Sequence, residues 1–367
     1  MDLKFIQEIP EHTLNFTSSL REGKSYKFTP MKKGLTSYGK KLELGFSCYA
    51  LKIFYMLNGL SLLDHNEIDN WGKYINSFQN NQYKGYSNYY IDSHYLKYYQ
   101  KIFSKESLNS SIKSIINNIG NKDYDTKKVK LFKGINAETK QAISTLAEIG
   151  KKSELGVEVR FSQKENLIEF LNSLDWSKPW SAGGQFASFC VYNETQNLNF
   201  KNTLMSYANN LVDNETGSYF TSKPKNSREI INGAMKIISG LDWLNVDIHY
   251  PKQLIDFCLK NKPIIEGCDI VDYIYVLYKC SKQSNYKTKE INILFESLLK
   301  EIMKLYLKNE GGFSYFTNKS QTHYYGVKIS KGKYTADLHG TLLCTWGIIM
   351  ILDSFENKNE KYSIIKP

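Results

Sequence analysis

Arginine is almost missing from this chain of 367 residues: Arg21, Arg160 and Arg228 are the only three, so the excess of 48 basic over 37 acidic residues, a formal charge of +11, is carried by lysine. Proteins that read nucleic acid concentrate arginine for bidentate contacts to bases and phosphates. The lysines here are scattered, as in Lys122, Lys127, Lys128 and Lys130 or Lys282, Lys287 and Lys289, which argues against nucleic acid as a partner. There is no C-x-x-C pair. Cys48, Cys190, Cys258, Cys268, Cys280 and Cys344 lie far apart, mostly within apolar runs, and read as reduced core residues. The first ten residues lack the basic-then-apolar pattern of a secretory signal, and no uncharged apolar run reaches the roughly eighteen residues of a membrane span. A cytoplasmic location without a transmembrane segment is therefore expected. Period-2 alternation is confined to residues 129–132 and 157–161, which are expected to pair as a small β-ribbon in an otherwise all-α chain.

Aromatic residues are abundant, with 27 Tyr and 19 Phe against an ordinary 41% of hydrophobic residues. So many rings must fill a large core or line a cavity. Residues 1–40 are polar and carry Pro10, Gly23, Pro30, Gly34 and Gly39, which suggests an irregular arm; a single domain over 41–355 and a tail over 356–367 complete the expected organisation. Residues 42–57 are apolar nearly all round, the mark of a helix buried on most sides. Residues 64–79 instead place Ile68, Trp71, Ile75 and Phe78 on one face of a half-exposed helix. This alternation recurs downstream, with half-exposed helices at 166–174, 200–211, 251–259 and 290–307, each followed by a buried one at 184–192, 228–241, 269–280 and 341–352. Such hairpins, about 45 to 50 residues each, cannot bury their faces alone and must stack. Because the last apolar helix ends close to the C-terminus, with no polar cap, about five to six hairpins are expected to close into a ring.

The loops Gly311-Gly312-Phe313-Ser314-Tyr315-Phe316 and Glu215-Thr216-Gly217-Ser218-Tyr219-Phe220, each joining a half-exposed helix to a buried one, resemble the squalene-cyclase-like repeats of the terpenoid cyclase and protein prenyltransferase α/α toroids. The resemblance implies an α/α toroid with a central aromatic pocket and an isoprenoid substrate. The standard motifs differ. Cys268-Asp269-Ile270-Val271-Asp272 is the nearest counterpart of the acidic D-x-D-D stretch, without its middle acid, and no D-D-x-x-D motif is present. Glu266-Gly267-Cys268 with His339 loosely resembles the Asp-x-Cys and distant His that hold zinc in prenyltransferases. Zinc at Glu266, Cys268 and His339 is thus a weak expectation, since carboxylate, thiolate and imidazole suit the ion, and no other cofactor is implied. Glycan hydrolases and lyases use similar helical barrels, and a noncatalytic ligand- or protein-binding toroid is the third alternative.

Polar residues near the starts of buried helices are the candidate site. Asp269 either caps its helix or joins Asp272, one turn further in, as a desolvated acid or base. Asp337 and His339 precede the last apolar helix as a cap and a proton carrier, or as a satisfied structural pair. Trp176, Trp180 and Gln185 lie in or beside a Gly-containing loop that packs or stacks on a ligand. Asn232 and Lys236 share a helix face at i, i+4, where the lysine snorkels, pairs with an acid or faces a wet cavity. Tyr324 and Tyr325, beside His323, belong to a loop expected to cover the cavity. Together they suggest acid–base catalysis by Asp269, Asp272, Asp337 and His339 on a small isoprenoid or carbohydrate substrate.

Overall fold

A computed structural model describes residues 3–80, 86–103, 127–158, 163–356 and 361–367 of the chain. The described residues form thirteen α-helices: α1 (Leu3–Ser18), α2 (Leu44–Met56), α3 (His65–Asn76), α4 (Ser93–Phe103), α5 (Lys127–Glu148), α6 (Lys164–Asn172), α7 (Pro179–Thr195), α8 (Lys201–Leu211), α9 (Ser227–Leu244), α10 (Pro251–Lys260), α11 (Gly267–Gln283), α12 (Thr288–Met303) and α13 (Leu338–Glu356). Three short antiparallel ribbons accompany them: β1 (Gln79–Asn80) with β2 (Tyr89–Tyr90), β3 (Tyr306–Leu307) with β4 (Gly312–Phe313), and β5 (His323–Tyr324) with β6 (Val327–Lys328). The protein is all-α, as the periodicity predicts.

Local chemistry sets the helix ends. Asp64 and Glu67 form a reciprocal capping box at the start of α3, Asn226 caps α9 through the Glu229 N–H, and Pro179 and Pro251 begin α7 and α10, where a missing N–H costs nothing. The helices divide by burial. In α2 12 of 13 residues are buried, and in α7, α9 and α11 12 of 17, 12 of 18 and 12 of 17, whereas α8, α10 and α12 bury one stripe each. A helix apolar on all sides needs neighbours on all sides. Accordingly α2 packs on α5, α5 on α7, α7 on α9, α9 on α11, α11 on α13, and α13 back on α2, while α3, α8, α10 and α12 lie against this set from outside. By hydropathy and length α13 would also suffice to cross a membrane, but 72% of its 18-residue window is buried within the protein.

The closest approach is between α7 and α9, and glycine permits it. A Cβ on Gly233 would stand 2.6 Å from Pro179, one on Gly183 2.9 Å from Lys236 Cβ, and one on Gly240 2.9 Å from Cys190 Sγ. These contacts advance together along both helices, so the two run parallel. The same holds for α9 and α11, joined by Asn232 to Asp269 near their starts and by Lys279 to Asp242 near their ends. The inner helices thus share one N-terminal end.

Two expectations change. Residues 3–18 of the supposed irregular arm form α1, whose His12 and Phe16 pack on Gly311 and Gly312; only 19–40 is irregular. Residues 129–132 lie in α5, not in a ribbon, because they open a 22-residue helix; residues 159–161 of the other ribbon segment fall outside the described residues. The tail over 361–367 is bound: Ser363 N–H donates to Met56 O at 3.0 Å, Trp243 Nε1 to Pro367 O at 3.3 Å and Lys366 Nζ to Asp242 O at 3.2 Å, so it crosses the C-terminal end of the inner helices.

The packing makes a paired prediction. Gly233→Val should cost about 1–3 kcal/mol by overpacking, whereas Gly184→Ala, which meets nothing within 4 Å, should stabilise α7 by about 0.5–1 kcal/mol. Urea denaturation of the two variants beside the parent checks both signs.

Candidate functional site

Neighbouring inner helices are tied by polar side chains toward their shared N-terminal end. Gln141 of α5 donates to Gly45 O of α2 at 3.0 Å, and Asn136 of α5 donates to Gln185 Oε1 of α7 at 2.8 Å. Glu229 of α9 accepts from the Trp180 N–H of α7 at 3.0 Å. Asp269 of α11 accepts from Asn232 of α9 at 2.7 Å and from Arg228 through both oxygens, the Nη2 to Oδ2 bond being 2.7 Å. Gln185, Asn232 and Asp269 are therefore satisfied interhelical links, and Asp269 is occupied by an ion pair. Arg228 remains half-exposed with its guanidinium 5.5 Å from the Trp180 ring centre, which places Trp180 at the rim. Trp176 lies elsewhere: it is buried, with Nε1 donating to Leu171 O and Tyr207 Oη.

Asp337 is a cap. It precedes α13 and accepts backbone N–H groups from Gly340 at 2.8 Å, Tyr315 at 2.8 Å and Gln321 at 3.0 Å. Burial pushes its carboxyl up to about 6 while these N–H donors pull it back down. With its oxygens so engaged, it fixes the 315–321 loop to the helix instead of serving chemistry. The same loop wedges Tyr315 between two helix starts, since a Cβ on Gly267 would stand 2.1 Å from the Tyr315 ring and one on Gly340 2.5 Å from its backbone N. The Tyr315 hydroxyl donates to Cys268 Sγ at 3.2 Å.

Inside this polar belt we infer a recess from titratable groups that are partly accessible yet surrounded by protein. Lys140, Lys236, Cys268, Tyr315 and His339 all keep accessible surface, yet burial dominates the shifts of Lys140, Cys268, Tyr315 and His339. Asp272 faces it from α11: burial raises its pKa to about 6, with Lys236 and Lys140 pulling down and Asp269 pushing up, and its Oδ2 has no hydrogen-bond partner. Lys140 and Lys236 make no ion pair among the described residues, unlike nearby Lys52, which is paired with Glu148 at 2.7 Å. His339 stacks on Tyr49 at 4.6 Å between ring centres and lies 5.2 Å from Tyr315. Burial and then Lys236 lower its pKa to about 3, so it stays a neutral imidazole, with Nδ1 lacking a partner.

The expected aromatic cover is the β5–β6 hairpin. Tyr325 and Gly326 form its two-residue turn with φ of 41° and 86°, as a tight hairpin requires. The strained Tyr325 is held by the hydroxyls of Tyr99 and Tyr95, which donate to its carbonyl at 2.8 and 3.2 Å. Tyr324 is buried, its ring 5.1 Å from Phe46 and its hydroxyl against Gly45; burial followed by Glu138 raises the Tyr325 hydroxyl above its ordinary range. Glu138 is a residue the sequence reading missed, as are Lys140 and Tyr49. It is fully buried, neither carboxyl oxygen has a partner of good hydrogen-bond geometry, and burial raises its pKa far above the carboxylate range, with the nearby Tyr324 hydroxyl pulling it back only in part. A signal existed: Ile135, Ala142, Ile143 and Leu146 repeat with helical spacing, and residues 136, 138 and 140 add polar groups to the same element.

Among the described residues no three of His, Cys, Asp and Glu converge as a metal site. The zinc set Glu266, Cys268 and His339 is not assembled: Cys268 pairs with Tyr315, burial raises its thiol to about 12, and His339 is stacked between tyrosines. A separate cleft of about 270 Å³ lies between the C-terminal ends of α9 and α11, but its Lys279 is paired with Asp242 and its Lys282 with Asp353.

Two measurements test this assignment. Arg228→Ala should destabilise by about 1–3 kcal/mol because it strands a buried carboxylate, less than a fully buried pair would lose since Arg228 is partly hydrated; chemical denaturation reads the cost. For Asp272, folded protein retains the proton up to about pH 6, whereas an unfolded Asp releases it near pH ~3.9. Its contribution is therefore present at low pH and lost as pH rises between these values. Asp272→Asn should match the parent at pH ~4 and exceed its stability by about 1–3 kcal/mol at pH ~7; a pH-independent difference would contradict the desolvated acid.

No protein-family model, curated protein or solved structure matches the chain.

Proposed function

We propose that the cyclic set of inner helices is an α/α toroid and that its chamber is the active site of an acid–base enzyme for a small anionic substrate. The observation that carries the reading is the unpaired couple Lys140 and Lys236 beside Asp272, whose Oδ2 is also unpaired. Lys236, and Lys140 while it holds its proton, which burial lets go at about 7, call for a counter-charge. A carbocation would be repelled by them. An acid titrating near 6 suits proton transfer to and from oxygen or nitrogen at neutral pH and is a poor proton donor to a carbon–carbon double bond. The isoprenoid reading accordingly takes the form of a diphosphate ester, with Tyr49, Tyr315 and Tyr325 along the hydrocarbon. An anionic sugar is the second reading, favoured by Trp180 and Arg228 at the rim, where an indole face and a guanidinium suit a sugar ring and its carboxylate. Six free thiols accord with the reducing cytoplasm.

Thermal unfolding with inorganic diphosphate, farnesyl diphosphate and glucuronate tests the reading. Diphosphate at about 100 times its Kd should stabilise the chain by about 2.7 kcal/mol, and Lys140→Met with Lys236→Met should abolish the effect. Whichever organic anion stabilises more names the class. With that compound, Asp272→Asn should retain binding and reduce turnover by about 10²- to 10⁴-fold. Stabilisation without turnover would mark a binding protein, and equal stabilisation of the double lysine variant would refute the site.

A further inference from the structure

Lysines that are scattered along the sequence gather at one end of the folded chain. Residues 23–42 hold six lysines and residues 311–336 hold four, and neither stretch contains an Asp or Glu. Backbone contacts join the two stretches: the Thr36 N–H donates to Ile329 O at 2.9 Å, the Lys331 N–H to Gly34 O at 2.8 Å and the Thr36 hydroxyl to Lys328 O at 2.7 Å. Side chains meet there as well. A Cβ on Gly34 would stand 3.1 Å from Lys333 Cγ, and one on Gly332 would stand 3.6 Å from Lys319 Cδ. Lys32, Lys33, Lys319, Lys328, Lys331 and Lys333 therefore form one exposed cluster, and none of them makes an ion pair among the described residues.

The carboxylates that flank the cluster are occupied elsewhere. Glu22 pairs with Lys27 at 2.9 Å, Glu43 accepts from the Tyr74 hydroxyl at 2.6 Å, and Glu310 accepts from Thr335 Oγ1 at 2.6 Å and the Ala336 N–H at 3.0 Å. Asp337 is buried under its three backbone donors. At the opposite end of the inner helices Lys279, Lys282 and Lys287 are each paired with an aspartate, so a lysine-rich composition does not by itself leave a surface unneutralised. The Leu338 N–H donates to Pro30 O at 2.8 Å, which seats the cluster beside the start of α13. It thus covers the end where the Tyr315 loop lies over the helix starts.

We propose that this face docks the protein on an anionic phospholipid bilayer. The inference is independent of the chemistry assigned to the chamber. A bilayer presents a fluid layer of charge, which lysine density meets without fitted bidentate contacts. The one arginine nearby, Arg21, is engaged within its own loop: it donates to Ser25 O at 2.7 Å and Lys24 O at 3.2 Å, and lies 4.5 Å from the Tyr26 ring centre. That argues against a nucleic acid on the same face. Tyr334, next to Lys333 and 56% exposed, adds a ring of the kind that settles at the headgroup level. Docking on this face turns the N-terminal end of the inner helices toward the lipid.

Co-sedimentation with vesicles tests the proposal. The full chain should pellet with phosphatidylcholine vesicles containing about 30% phosphatidylserine and stay in solution with phosphatidylcholine alone. Raising the salt from ~0.1 M to ~1 M, which shortens the Debye length from about 10 Å to about 3 Å, should release it. Each lysine lost near an anionic surface costs about fivefold in partitioning, so Lys319→Gln with Lys331→Gln and Lys333→Gln should weaken binding about 100-fold. Lys282→Gln with Lys287→Gln and Lys289→Gln makes the same change in charge at the opposite end, beyond a Debye length, and should weaken it less than about threefold. Tyr334→Ser should weaken binding and leave its salt dependence unchanged. Circular dichroism checks that each variant is folded. Failure to pellet with the anionic vesicles, or equal losses in the two triple variants, would overturn the docking face. Binding of single-stranded DNA through Lys319, Lys331 and Lys333 without vesicle binding would also overturn it and reassign the face to nucleic acid.

Discussion

Everything in this protein follows from helices that cannot face water on any side. The segments α2, α7, α9 and α11 bury most of their residues on more than one side, and each must be covered by two inner neighbours and an outer layer. Passing that requirement from one helix to the next returns it to the start, with α13 against α2. Polar groups near the helix starts then have nowhere to go but toward each other or toward the centre. Gln185, Asn232 and Asp269 take the first course, and Lys140, Lys236 and Asp272 the second.

The difference between these two groups is a difference in partners. Asp269 and Asp272 lie three residues apart on the same helix, both almost fully buried. Asp269 meets Arg228 and Asn232 and becomes a structural anion; Asp272 feels Lys236, Asp269, Lys140 and Arg228 without an ion pair to any of them and retains an orphaned oxygen. An unsatisfied buried oxygen carries a desolvation cost of about 1–3 kcal/mol, which a chain without use for it would gain by relieving. The same reasoning separates Asp337, saturated by three backbone donors, from Glu138, which has none.

The two ends of the inner helix set are finished differently. At the C-terminal end the tail over 361–367 ties Met56, Asp242 and Trp243 together, and the Lys52–Glu148 pair fills the interior nearby. Toward the N-terminal end, loops bearing Tyr315 and Tyr325 lean over the helix starts. Gly267 at the start of α11, at φ 43°, and Gly326 in the hairpin turn, at φ 86°, allow close approach where a side chain would collide. Substrate entry from the tyrosine side, with the tail as floor, is the arrangement the chemistry proposed above requires.

Periodicity alone determined the all-α class, the pairing of half-exposed with buried helices and the position of most of them, because burial on one face or on all faces leaves a pattern within a dozen residues. It also marked Asp272, Lys236 and His339, since a polar residue in an apolar run is conspicuous. It failed where the inner helix was itself polar: α5 carries Asn136, Glu138, Lys140 and Gln141 toward its neighbours and the chamber, so its sequence looks like a surface segment and its role was invisible. It failed also for the N-terminal arm, where turn formers after residue 18 obscured α1. Which acids are satisfied and which are free was decided only by the tertiary structure. Asp269 and Arg228 are 41 residues apart, and no local pattern records a partner that arrives on another helix.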